Sequence, residues 1–165
     1  MKRNTTLQVV LGSLLLASCT LQKPAKITKN ESTENFSYIF FPRTNNLPYG
    51  SGGSNGIHAN SRKGIVDPNE IISGILLKEK LVRIPEIQPE LANKTLVVNY
   101  GESGRRDVPI VVGDYEQAIE VTIMFTSAEN NKEICSCTAE GSMEPTVADN
   151  TRKAISNCLN ELFKK

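Results

Sequence analysis

The chain has 165 residues, of which 22% are charged and 5% are aromatic, and its formal net charge is +1. This balance, without a basic stripe, argues against nucleic acid as a partner. The absence of tryptophan also disfavours a stacking platform for carbohydrate.

The N-terminus has the pattern of a secretory signal peptide. Lys2 and Arg3 precede a mainly apolar run from residue 7 to residue 17. A basic start followed by a short apolar run and small residues is typical of export signals. The run is well short of the roughly 20 residues that span a bilayer. We therefore predict that residues 1–18 are a removable signal.

Residues 16–19, Leu-Ala-Ser-Cys, resemble the lipobox of bacterial lipoproteins. The resemblance implies that Cys19 receives a diacylglyceryl group, that the chain is cut before it, and that the new amine is acylated. Two or more fatty acyl chains anchor a protein stably to a membrane. Thr20, rather than aspartate, follows the cysteine, which favours the outer membrane, with the domain on its periplasmic or surface face. The alternative is an ordinary signal with a chance cysteine.

The segment after Cys19 is polar. Residues 19–35 contain Pro24 and show no apolar periodicity, so we predict a flexible tether there. Residues 36–165 would then form a single globular domain. Loss of Lys2 and Arg3 would leave 17 of the 19 basic residues against 18 acidic ones.

The first part of the domain contains a predicted strand and a long loop. Residues 37–42 are aromatic and β-branched, as in a strand. Residues 43–64 are rich in glycine, serine and asparagine, and loops of this length are usually functional or mobile. Their glycines lack the lysine of a phosphate-binding loop and the helix that follows a dinucleotide fingerprint. His58 and Ser61 lie in this loop without a nucleophile-elbow motif, so we assign no catalytic residue and no cofactor.

A helix follows, then most of the sheet. Asp67 and Pro68 are a good helix start, and the apolar spacing continues to about residue 79 or 80. Strands are predicted at residues 81–84, 94–100, 117–127 and 132–139, with a turn at 101–106 and a short arm at 108–112. The final helix runs from residue 146 or 147 to 163. Its predicted apolar stripe is Thr151, Ala154, Ile155, Cys158, Leu159 and Leu162.

These elements predict an α+β two-layer sandwich. We expect three to five mostly antiparallel strands, with one helix near the middle of the chain and a C-terminal helix packed on one face.

Three cysteines remain once Cys19 is set aside. Cys135 and Cys137 lie two residues apart on a predicted strand and share one face, while Cys158 lies on the inward stripe of the last helix. The alternatives are buried free thiols or one disulfide, between Cys158 and either Cys135 or Cys137. A metal site is not predicted, because the one histidine, His58, is far away in sequence.

A binding surface is one prediction for the 101–106 turn. Arg105 and Arg106, with Glu102, could hold a carboxylate or phosphate there, and His58 in the long loop could add to it. The alternative is a solvated hairpin tip.

Three stretches resemble short lipoproteins of unknown function from Gram-negative anaerobes of the Bacteroides type. They are TLVVNYGESGRR at 95–106, CSCTAEG at 135–141 and TRKAISNCLNELF at 151–163. The resemblance implies no biochemical activity. The order of elements is also similar to that of assembly lipoproteins of envelope transport systems, in architecture alone.

The sequence therefore favours a membrane-anchored, non-enzymatic module that binds or assembles with another envelope protein. A lipoprotein that binds a small molecule or glycan is the second hypothesis, and an enzyme of unknown class is the third. An apolar groove would favour binding, whereas a charge-paired carboxylate or thiol in a cleft would favour an enzyme.

Overall fold

The structure is a computed structural model that describes residues 23–43, 67–111 and 114–164. Cys19, His58 and nearly all of the loop at 43–64 lie outside these ranges. The described part contains two α-helices and six strands, with two short 3-10 turns. The helices are α1 (Pro68–Lys78) and α2 (Val147–Leu162), and the strands are β1 (Lys26–Lys29), β2 (Tyr38–Phe40), β3 (Val82–Arg83), β4 (Thr95–Val111), β5 (Asp114–Ser127) and β6 (Glu133–Gly141).

The six strands form one open mixed sheet in the order β1-β6-β5-β4-β2-β3. The pairings of β6 with β1, of β6 with β5 and of β5 with β4 are antiparallel. The pairings of β2 with β4 and with β3 are parallel. The α+β class is confirmed, but the expected three to five strands are too few. The strand missing from the prediction is β1, whose four residues are too few for alternation to identify it, whereas β3 lies within the strand predicted at residues 81–84.

The core lies between the sheet and the two helices, which contact each other. On β5 the residues at every second position, from Ile119 to Phe125, are fully buried, as a strand with one covered face requires. Helix α2 packs on β5 and β6, and every member of its predicted stripe is buried. Neither helix in the described ranges has the length and apolarity needed to span a membrane.

Both helices begin at capped ends. The Asp67 carboxylate accepts a hydrogen bond from the Asn69 amide, and Pro68 occupies the first helical position, as predicted. The Thr146 hydroxyl accepts from the Asp149 amide at the start of α2.

Strands β4 and β5 form one long hairpin, which contradicts the predicted turn at residues 101–106. Their pairing runs from Leu96 opposite Ser127 to Val111 opposite Asp114. A shift in register between Glu102 and Gly104 accommodates the turn-like residues as a bulge. The uninterrupted β5 partner therefore overrides the local turn preference.

Strand β1 shows that the ordered domain begins before residue 36, inside the segment predicted to be a flexible tether. Lys26–Lys29 pairs antiparallel with β6, and the amides of Asn30 and Glu31 both donate to the carbonyl of Ile134. Ile27 packs against the core. An edge strand is held mainly by backbone hydrogen bonds, so it can form from polar residues. The polar composition of this segment therefore gave no indication of a strand. Its lysines also disfavour pairing with another sheet edge.

Helix α2 approaches β6 closely at Gly141. A Cβ atom there would overlap the main-chain oxygen of Asn150 and lie 2.7 Å from the main-chain nitrogen of Ala154. Two side-chain amides reinforce this contact. Asn150 Nδ2 donates to the Gln117 carbonyl at 2.9 Å, and Asn157 Nδ2 donates to the Glu140 carbonyl at 3.1 Å.

Candidate functional site

The structure pairs Cys137 with Cys158 in a disulfide that links β6 to α2, with the two Cα atoms 5.5 Å apart. Cys135 is free and buried. Cys135 lies opposite Phe125 and Cys137 opposite Ile123, so both cysteines are on the helix-covered face, where the alternation of β6 placed them.

The Cys135 thiol also lines a cleft, although its chemistry is unlike that of a reactive cysteine. Burial raises its pKa to about 12, nearby Lys29 acts in the opposite direction, and Glu133 adds to the rise. Nucleophilic and metal-binding cysteines instead have a depressed pKa. In the described ranges, no three histidine, cysteine, aspartate or glutamate side chains are arranged to hold a metal ion.

The cleft has a volume of about 770 Å³ and opens at the end of the sheet where both helices finish. Its apolar lining includes Leu81 and Leu162, which are buried, together with Phe36 and Phe163. The C-terminal ends of helices carry partial negative charge, which favours cations nearby. Charged side chains of both signs also line it, namely Lys29, Glu31, Glu34, Lys78, Glu79, Lys80 and Lys164. A concave surface of this size with mixed lining can hold a small amphipathic molecule.

The two arginines of the predicted binding surface do not act together. Arg105 lies opposite Ile119 and Arg106 opposite Ala118, so the two side chains point to opposite faces of β4. Arg105 forms a two-point ion pair with Glu102. The segment is a strand on which successive side chains alternate, so the two arginines do not share a tight turn.

Arg106 is bound to Glu140 on β6, a pairing that sequence reasoning missed. Its Nε donates to Glu140 Oε2 at 2.7 Å and its Nη2 donates to Oε1 at 2.6 Å. The two residues are 34 positions apart, so no local pattern could have revealed the pair. The hydrogen bonds raise the pKa of Arg106 further above its usual range. Ala118, between them on β5, is 1% exposed.

The two residues of the Arg106–Glu140 pair differ in exposure, so replacing one should change the free energy of unfolding more than replacing the other. The Glu140 side chain is 2% exposed and the Arg106 side chain 33%. Arg106→Gln should lower the free energy of unfolding by about 2 kcal/mol, because the buried Glu140 carboxylate loses two charge-assisted hydrogen bonds from Arg106. Glu140→Gln should cost about 1 kcal/mol, because the arginine can turn to solvent.

Urea unfolding measures both changes. Arg152→Gln is the matched control, since its ion pair with Asp149 is exposed on both sides and should contribute under 1 kcal/mol. Equal effects of Arg106→Gln and Arg152→Gln would contradict the buried character of the first pair.

Beside this pair, on the sheet face away from the helices, lie further polar contacts between strands. The Ser103 hydroxyl donates to Glu120 Oε1 at 3.1 Å, and the Thr122 and Thr138 hydroxyls are 2.8 Å apart. Of the four residues in the predicted binding surface, Glu102, Arg105 and Arg106 are thus engaged in ion pairs, and His58 lies outside the described residues.

No protein-family model and no curated protein matches the chain. Among solved structures, the PelC dodecamer from Paraburkholderia phytofirmans is 15% identical, with a TM-score of 0.51. That match covers 86% of this chain and 98% of the PelC chain. A PDZ domain protein from Parabacteroides distasonis is 14% identical, with a TM-score of 0.45, over 87% of this chain and 36% of that one. At this identity the likeness to PelC establishes a shared fold alone.

Proposed function

We propose that this chain is a lipid-anchored, non-enzymatic module of the cell envelope that assembles with copies of itself. The observation that carries the proposal is the fold shared with PelC over 98% of the PelC chain, since PelC is described as a dodecamer. The lipobox-like residues 16–19 supply the anchor at Cys19, with the outer membrane as its proposed site. An assembly of several copies on a membrane would then present itself to another envelope protein.

The exposed apolar side chains are consistent with contacts between unlike surfaces. Leu77 and Val82, at 61% and 47% exposure, lie beside the β3 edge of the sheet. Met143 and Val147, at 51% and 37%, lie beyond the end of β6, four strands away. A contact that joins two different patches is heterologous, and heterologous contacts close into rings when the rotation between copies allows it.

Sedimentation velocity of the lipidated protein in detergent tests the proposal. We expect the wild type to sediment as a multi-copy assembly and Leu77→Asp to weaken association at least tenfold, because it places a charge in an apolar contact. Lys78→Asp is the matched control, because the neighbouring side chain is also exposed and the introduced residue is the same. A wild type that sediments as a monomer at micromolar concentration would contradict self-assembly.

A second candidate function is the binding of a small molecule, and the cleft lined by Phe36, Leu81 and Leu162 favours it. A ligand that binds only the folded state raises the melting temperature. A shift produced by one chemical class in a panel of metabolites and glycans, and lost in Leu81→Asp, would support this role.

A further inference from the structure

The loop between β6 and α2 holds a bulky residue in a strained backbone conformation. Met143 has a φ of 63°, in the left-handed region that residues other than glycine rarely adopt. Among the described residues, Lys80 and Asn131 also lie in this region, with φ values of 65° and 58°. Both of these are polar, and asparagine tolerates the conformation well. Of the three residues, Met143 alone is apolar.

Hydrogen bonds on both sides of Met143 fix this loop to α2. Lys153 Nζ donates to the Ser142 carbonyl at 2.9 Å and to Glu144 Oε1 at 2.8 Å. The Glu144 amide donates to Asn150 Oδ1 at 3.1 Å. Ser142 and Asn150 are each 2% exposed. A strained residue persists only where the surrounding structure determines its conformation, and these contacts supply that constraint.

The Met143 side chain itself gains little from this arrangement within one domain. Met143 is 51% exposed, and Val147 at the start of α2 is 37% exposed. A glycine at position 143 would adopt the same backbone conformation without strain. Backbone strain of this kind is concentrated at functional sites. An exposed apolar side chain in a fixed, strained loop therefore points to a contact outside the domain.

We propose that Met143 of one copy packs against Leu77 and Val82 of the next, an inference that rests on the self-assembly proposed above. Leu77 and Val82 are 61% and 47% exposed, the highest values beside Met143 among the large apolar side chains of the described residues. They lie at the β3 edge of the sheet, four strands from β6, so the two surfaces meet between copies. Such a contact joins unlike surfaces and is heterologous.

The chemistry of the two sides suits this contact. A methionine side chain is flexible and polarizable, so it adapts to an apolar surface of irregular shape. The loop that carries Met143 is fixed before binding, which reduces the entropy lost on association. The fold shared with the PelC dodecamer favours a second copy of the chain as the partner.

Sedimentation velocity of the lipidated protein in detergent tests the role of Met143. We expect Met143→Gly to weaken association at least tenfold, because the apolar contact is lost. Asn131→Gly is the matched control, since it introduces the same residue at another exposed left-handed position and should leave association unchanged. Adding Met143→Gly to Leu77→Asp, in which the contact is already lost, should leave the urea midpoint unchanged or raise it. Relief of strain offsets the greater freedom of glycine in the unfolded chain.

Mixing two variants tests which surfaces meet. Met143→Gly and Leu77→Asp damage opposite sides of a heterologous contact. At a concentration where each variant alone is largely monomeric, an equimolar mixture should form complexes of two copies. In these complexes Met143 of the Leu77→Asp copy meets the intact Leu77 and Val82 of the other copy. A mixture that stays monomeric would overturn the pairing of these two surfaces.

The remaining outcomes separate this inference from self-assembly itself. If the wild type assembles and Met143→Gly associates with equal affinity, the inference is overturned and self-assembly stands. A monomeric wild type overturns both. Met143→Asn, which also tolerates the left-handed conformation, should weaken association in the same way if Met143→Gly folds poorly. Association of that variant at the wild-type affinity would likewise overturn the inference.

Discussion

Replacing Gly141 with alanine is expected to destabilise the protein by roughly 3 kcal/mol or more. The new Cβ would collide with the main chain of Asn150 and Ala154 on α2. Main-chain atoms cannot rotate away as a side chain can, so the helix must shift off β6. The shift would also disturb the packing of Ile155 and Leu159, both fully buried.

Chemical denaturation followed by circular dichroism measures this effect, and Gly101→Ala provides the matched control. Gly101 lies in β4, and an added Cβ there meets no atom within 4 Å. We expect the control to change the unfolding free energy by about 1 kcal/mol or less. If Gly141→Ala unfolds at the wild-type midpoint, the close approach of α2 to β6 is incorrect.

Removing the disulfide should produce the second large effect. Cys137 and Cys158 are 21 residues apart, and the cross-link lowers the conformational entropy of the unfolded chain. For a loop of this length, the folded state is thereby stabilised by about 3 kcal/mol. Cys158→Ser should therefore lower the unfolding free energy by that amount. Cys135→Ser is the control, because it replaces a buried sulfur without removing a cross-link and should cost about 1 kcal/mol. Reductant should lower the midpoint of the wild type but leave that of Cys158→Ser unchanged.

Thiol labelling distinguishes the pairing directly. The native domain should react very slowly, because Cys135 is buried and its pKa of about 12 keeps the thiolate fraction small at neutral pH. Raising the pH should speed the reaction by increasing that fraction. Once the domain is unfolded, one thiol should react without reductant and three with it. Three reactive thiols without reductant would contradict the disulfide.

The elements that could be predicted from the sequence are those with long, regular patterns. The buried stripe of α2 and the alternation of Ile119, Val121 and Ile123 on β5 emerged from periodicity alone. The start of α1 at Asp67 followed from capping chemistry. These signals are local, so neighbouring residues are enough to define them.

The remaining features depend on contacts between distant segments. Gly101 and Gly104 suggest a turn until β5 is placed beside them, and Lys26–Lys29 looks like tether until β6 supplies its hydrogen bonds. The partnership of Arg106 with Glu140 and the cleft between four chain segments arise in the same way. For the cysteines, setting Cys19 aside left Cys135 and Cys137 as possible partners of Cys158, and strand alternation placed both on one face. The choice of Cys137 required the packing of α2 on β6.

Native mass spectrometry of the protein extracted from membranes in mild detergent reports both lipidation and assembly in one spectrum. We expect a subunit that begins at Cys19 with the added mass of its acyl chains, in a complex of several identical copies. A subunit without acyl mass would contradict the anchor, and acylated single copies would contradict self-assembly.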